Sequence, residues 1–110
     1  MNRVMVNGRL VERTALRYTP AGIPVIDATL DHASEVMEAG LRRKLAFSFE
    51  VTAIGDMARQ LSDENLGSEL ALGGFLAPRS RRSTRIRVHV LELTRLAPAA
   101  LADAGADGND

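Results

Sequence analysis

Residues 79–87 read Arg-Ser-Arg-Arg-Ser-Thr-Arg-Ile-Arg, five arginines and no acid in nine positions of a chain whose formal net charge is zero. The chemistry this run supports is phosphate binding. A guanidinium presents a planar fork of donors that fits phosphate oxygens, and clustered fixed charge draws in a polyanion and releases its counterions. The alternative is a solvated hairpin tip in a chain that uses thirteen arginines and one lysine. A second basic run, Arg42-Arg43-Lys44, lies upstream.

Other chemistry is thin. The chain has no Gly-x-x-x-x-Gly-Lys-Ser/Thr, no Gly-x-Ser-x-Gly and no His-Glu-x-x-His, so no enzyme is expected. His32 and His89 are the only histidines and fall on different predicted strands, which makes them ordinary polar positions rather than metal ligands. Asp27 and Asp31 would share one face of a strand opposite Ile26, Ala28 and Leu30; a solvated outer face is expected there rather than a cation site. No cofactor is predicted. With no cysteine, neither a disulfide framework nor a cysteine zinc site is possible, in keeping with a reducing, cytoplasmic location. No run of eighteen apolar residues suggests a membrane span.

At 110 residues the chain has room for one core. Residues 1–96 hold all fourteen basic side chains but eleven of the fourteen acids, so the body is about three charges positive. The other acids, Asp103, Asp107 and Asp110, sit among Ala, Gly and Asn in 97–110, which reads as a disordered acidic tail behind a 1–96 domain.

The arginine run must be held by strands. Residues 43–54 alternate, with Leu45, Phe47, Phe49, Val51 and Ala53 on one face and Lys44, Ala46, Ser48, Glu50 and Thr52 on the other. Both phenylalanines are expected in the core, with Arg42 continuing the outer face. An opening strand, Arg3 to Val11, contains Gly8, which predicts a bulge or bend. A second strand, Val25 to His32, follows the loop Pro20-Ala-Gly-Ile-Pro24. Asp56 is expected to cap a short helix ended by Gly67. Ser68 to Ala77 reads as a fourth strand and Thr84 to Leu96 as a fifth, with Ile86, Val88 and Val90 inward. Three strands, a helix and two strands, without βαβ alternation, predict an all-β, five-stranded Greek-key OB-fold barrel with one short helix between strands three and four. In that fold an oligonucleotide crosses strands two and three and is gripped by the loops joining strands one to two and four to five. The arginine run falls in the second of these loops.

Gly8-Arg-Leu-Val-Glu-Arg-Thr-Ala-Leu-Arg-Tyr-Thr-Pro-Ala-Gly-Ile-Pro-Val25 resembles the start of bacterial single-stranded DNA-binding proteins. Within that superfamily Leu30-Asp-His32, Glu38-Ala-Gly40, Arg42-Arg43 and Gly74-Phe75-Leu76 resemble the primosomal replication protein PriB family, over about residues 2–96. The resemblance implies a homodimer that binds single-stranded DNA, acts with the PriA helicase and other primosome proteins in replication restart, and catalyses nothing itself. The exposed aromatics that such proteins carry after Glu-Ala-Gly and in mid-strand three are here Leu41 and Ala46. What remains is an electrostatic groove of Arg42, Arg43, Lys44, Arg79, Arg81, Arg82, Arg85 and Arg87, with Tyr18 either a stacking surface or a cover for the barrel end. If about five phosphates are neutralised, the log–log salt slope would be roughly −3.5. Two alternatives stay open: a primosome adaptor with weak DNA binding, or a general single-stranded DNA-binding protein. Against the latter, the chain ends without the aromatic tip of such proteins.

Overall fold

A computed structural model describes residues 1–96; the expected tail, 97–110, lies outside the described residues. Its elements are β1 (Val4–Arg13), β2 (Arg17–Tyr18), β3 (Pro24–Glu38), β4 (Leu41–Ile54), α1 (Asp56–Ser62), β5 (Glu69–Pro78) and β6 (Ile86–Arg95). The strand order is β1-β5-β6-β4-β3-β2, and a β1–β3 pairing closes the sheet on itself. One pairing is parallel, β4 with β6 through Val51–Val88 and Thr52–His89. This is the expected five-stranded OB barrel, with the two-residue β2 added at the rim by pairing Arg17 to Val25 and Tyr18 to Pro24.

Alternation builds the core. Leu10 of β1, Ile26 and Leu30 of β3, Val51 of β4 and Leu70 and Leu72 of β5 point inward, and Leu61 of α1 joins them, all fully buried. Two glycines are required by close approach. A Cβ on Gly74 would overlap the His89 carbonyl oxygen, and at this point the β5–β6 register shifts between Gly73 and Gly74. A Cβ on Gly8 would sit 2.9 Å from Leu30 Cβ and 3.2 Å from the Asp31 carbonyl oxygen. Gly8 therefore marks packing, not the expected bulge; the β1 irregularity lies between Leu10 and Glu12. Gly8→Ala is expected to cost about 1–3 kcal/mol through forced repacking, visible as a lower denaturation midpoint.

The second and third predicted strands are longer than their sequence bounds. The β3–β4 ladder runs from Val25–Ile54 to Glu38–Leu41. Its two-residue turn places Ala39 (φ 53°) and Gly40 (φ 79°) in the left-handed region, which matches the twist of a tight hairpin. Because β1 meets β3 only from Arg9–Asp31 to Arg13–Ala28, the outer half of this hairpin stands free of the barrel as an arm. That corrects the reading of Phe47. It shares a face with Phe49, but no strand among the described residues covers the arm there, and it remains 47% exposed, leaning on His32 with ring centroids 4.9 Å apart. Phe49 packs against the core as expected.

Two further expectations change. Gly55, with φ 73°, is the helix N-cap; Asp56 is the first helical residue, makes no cap hydrogen bond, and pairs with Arg59 at 2.9 Å. The helix stops at Ser62, and the Gly67 amide instead reaches the Leu10 carbonyl at 2.7 Å, tying the following turn to β1. Ile86 is 61% exposed, whereas Val88 and Val90 are buried as expected, because β6 enters the wall only after its first residue.

Candidate nucleic-acid interface

The β3–β4 register sorts the basic residues by face. Asp27–Thr52, Thr29–Glu50, Asp31–Ser48, Ala33–Ala46, Glu35–Lys44 and Met37–Arg42 are paired across the outer face. Leu30–Phe49, His32–Phe47, Ser34–Leu45 and Val36–Arg43 lie on the other. The run Arg42-Arg43-Lys44 is thus divided. Arg42 and Lys44 lie on the outer face, while Arg43 sits on the opposite side with its guanidinium hydrogen-bonded to Glu38. Arg42 also has a partner, Glu35 at 3.2 Å. Lys44 forms no ion pair among the described residues.

The β5–β6 loop separates the arginine run in the same way. Its base is stapled by the Arg79 amide donating to the Arg85 carbonyl at 2.9 Å, and its turn by the Ser83 amide donating to the Ser80 carbonyl at 3.2 Å. Short polar residues close the turn and leave Arg79, Arg81 and Arg82 projecting into solvent, with no ion pair among the described residues. Arg85 swings back onto the sheet, donating from Nη2 to Glu50 Oε1 at 2.6 Å.

Arg87 departs from the expectation that all five arginines form one cationic surface. It is 9% exposed and lies in the barrel wall. Its Nη1 donates to Asp27 Oδ1 at 2.9 Å and to Thr52 Oγ1 at 2.8 Å, and its Nη2 stands 3.6 Å from Glu50 Oε2. Its Nε is buried without a partner among the described residues. The strand period explains the placement: Arg87 precedes buried Val88 and so faces the polar outer side of β3 and β4, where the carboxylates of Asp27 and Glu50 stand.

Asp27 and Asp31 do share the outer face, and each is held by arginine. Asp31 accepts from Ser48 Oγ at 2.6 Å and lies 3.5 Å from Arg9. Asp27 accepts from Thr52 at 2.8 Å, with Arg17 2.9 Å from its other oxygen. Partial burial pushes the Asp27 carboxyl up, but the Thr52 hydroxyl, then Arg17 and Arg87, outweigh it and hold it below the ordinary carboxylate range. A depressed native pKa contributes stability that is complete above the unfolded value of about 3.9 and is lost as pH falls through the native one. Denaturation midpoints measured from about pH 5 downward should therefore decline less steeply in Asp27→Asn than in the wild type.

Tyr18 is 62% exposed and sits across from Pro24, while its neighbour Arg17 turns to Asp27; the register puts Tyr18 on the side away from the ion pairs. The structure does not bring it together with the arginine loop. His32 bridges the Asn7 carbonyl at 2.6 Å and Ser34 Oγ at 2.8 Å. His89 stacks on Phe75 at 5.0 Å between centroids, a half-exposed ring pair on β5 and β6 that the sequence reading did not single out. Also missed were the carboxylates that face the arginines. Glu50 was legible on the outer face from the alternation of 44–52, but its pairing with a loop 35 residues away was not.

A family model described as another single-strand binding protein family matches residues 2–92. The chain is similar to the replication restart protein PriB of Bordetella pertussis, 39% identical over 97 residues that cover 88% of this chain and 91% of that one. It is 35% identical over 89 residues to the replication restart protein PriB of Nitrosomonas europaea, covering 81% and 82%. The solved structure of PriB from Ralstonia solanacearum superposes with a TM-score of 0.80 at 35% identity, covering 88% of this chain and 99% of that one.

Proposed function

We propose, for a chain that belongs to the replication restart protein PriB family, that it binds single-stranded DNA without reading sequence and serves as an accessory of replication restart. Phosphates are held by the exposed cations of the β5–β6 loop, and the bound protein stimulates the PriA helicase within the primosome, in the cytoplasm. The observation that carries this reading is the set of Arg79, Arg81 and Arg82, exposed on a loop whose base is hydrogen-bonded shut and forming no ion pair among the described residues. Lys44 extends the track along the arm, six residues or about 20 Å of strand beyond Glu50. An arginine-tracked backbone with few stacked bases gives sequence-tolerant, salt-sensitive binding.

The salt dependence tests it. With Lys44, Arg79, Arg81 and Arg82 as the exposed side-chain cations that form no ion pair among the described residues, titration of labelled oligonucleotide across a salt series should give a log–log slope near −2.8, shallower than the roughly −3.5 expected from charge along the sequence. A slope near zero would refute phosphate tracking.

A homodimer is part of the proposal. The β1 segment Val4 to Gly8 pairs with β5 on one edge and has no β3 partner on the other. A groove lined by Met5, Val6, Leu45 and Phe47 runs beside it. An open strand edge next to apolar side chains is where a symmetric copy adds; light scattering at micromolar concentration checks this, and a monomer would remove it.

One observation favours the adaptor reading. The arm's tip exposes Val36, Met37 and Leu41 while Glu35 and Glu38 neutralise its arginines, which suits a protein contact better than a phosphate. No strand binding at low salt in the same titration would select it.

A further inference from the structure

We propose that Glu50 is a built-in competitor for the DNA backbone, holding Arg85 out of the phosphate track and so setting both the affinity and the salt dependence of this surface. The inference rests on the phosphate-tracking reading above and concerns one residue within it.

The loop explains why Arg85 is the arginine at stake. Its backbone is pinned at both ends, the carbonyl accepting from the Arg79 amide and the amide donating to Ser83 Oγ at 3.0 Å. From this fixed base its side chain reaches Glu50 at 2.6 Å while remaining 61% exposed. Arg85 is therefore within reach of solvent and of a passing strand, yet its charge is already matched.

Glu50 is the weaker of the two carboxylate contacts of Arg87, facing only its Nη2. That buried guanidinium is held by Asp27 at 2.9 Å and by Thr52, and Asp27 has Arg17 besides. Glu50 stands farther from Arg87, at 3.6 Å, and is itself 34% exposed. The two carboxylates beside Arg87 are similarly exposed, but neutralising Glu50 leaves the closer Asp27 contact of Arg87 in place.

Two physical consequences follow. A half-exposed ion pair is weak, so a phosphate can take Arg85 from it, but the displaced carboxylate then stands near the phosphate and repels it. Moreover, a phosphate that takes Arg85 releases a strand counterion but leaves the freed Glu50 carboxylate to attract one, so Arg85 adds little net to the salt slope until Glu50 is neutral.

The test is a double-mutant cycle on the full chain with labelled single-stranded oligonucleotide across a salt series, each variant first checked for an unchanged thermal transition. Glu50→Gln keeps shape and removes charge; Glu50→Ala is the second variant in case the amide introduces a new hydrogen bond. Either should tighten binding about three- to tenfold at low salt and steepen the slope by about 0.7, the value of one further phosphate contact. Arg85→Ala should change wild-type affinity less than about twofold but abolish the gain of Glu50→Gln, since the two effects share one partner. Wild-type binding with Glu50→Gln and Glu50→Ala both unchanged would overturn the proposal while leaving the DNA reading intact. A gain that survives in Glu50→Gln/Arg85→Ala would overturn it too, by showing that Glu50 does not act through Arg85. No binding by any variant at low salt would overturn the DNA reading itself, and this inference with it.

Discussion

Replacing Arg79, Arg81 and Arg82 together with alanine should weaken oligonucleotide binding about a hundredfold at roughly 0.1 M salt, because three single-strand phosphate contacts at about 0.7 each amount to two decades. The log–log slope should fall from about −2.8 to about −0.7, the share of Lys44 on the arm. Stability should hold, since all three side chains are solvent-exposed and make no side-chain hydrogen bond among the described residues. The staple between the Arg79 amide and the Arg85 carbonyl is backbone and survives the change. Titration and thermal melts of the same preparation separate the two effects. Unchanged affinity would move the binding surface away from this loop.

Arg87→Ala should do the reverse. It removes a side chain that is 9% exposed, leaving a cavity in the wall and taking a partner from Asp27, Glu50 and Thr52. Breaking one side of a buried pair costs about 3–5 kcal/mol. Here both acids keep another arginine and are about one third exposed, so about 3 kcal/mol is expected, on the scale of 5–15 kcal/mol for a whole domain. For a chain of this size that lowers Tm by about 10–20 °C. Arg87→Lys should recover only part of it, because an ammonium cannot span Asp27, Thr52 and Glu50 as the flat guanidinium does. A loss below about 1 kcal/mol together with a large fall in affinity would return Arg87 to the binding surface.

The two experiments pull apart arginines that look alike in sequence. Arg82, Arg85 and Arg87 lie within six residues, yet one is free, one is paired at the surface and one is buried. Charge counting treats them as equal. What separates them is where β6 begins, which lays Arg87 against the outer face of β3 and β4 while Arg82 stays in the loop, and the position of acids on β3 and β4 that no local pattern connects to residues 85–87.

Phe47 and Gly8 make the same point about the core. The alternation of 43–54 correctly put Phe47 and Phe49 on one face, but whether a face is covered depends on how far the neighbouring strand runs, and β1 leaves β3 before reaching Phe47. Gly8 was legible as a special position. Its cause, the approach of Leu30 and Asp31 from β3, is a distance between strands and has no local signature.

Periodicity, turn residues and charge clustering, all properties of neighbours along the chain, were enough by themselves to determine the all-β order, the barrel class, the helix between the third and fourth long strands and a basic loop before the last. Only the tertiary structure decided which cations are free. Ion pairing is settled by which strands lie side by side, and Asp27, Glu50, Arg85 and Arg87 meet across a sheet that joins residues up to 60 positions apart.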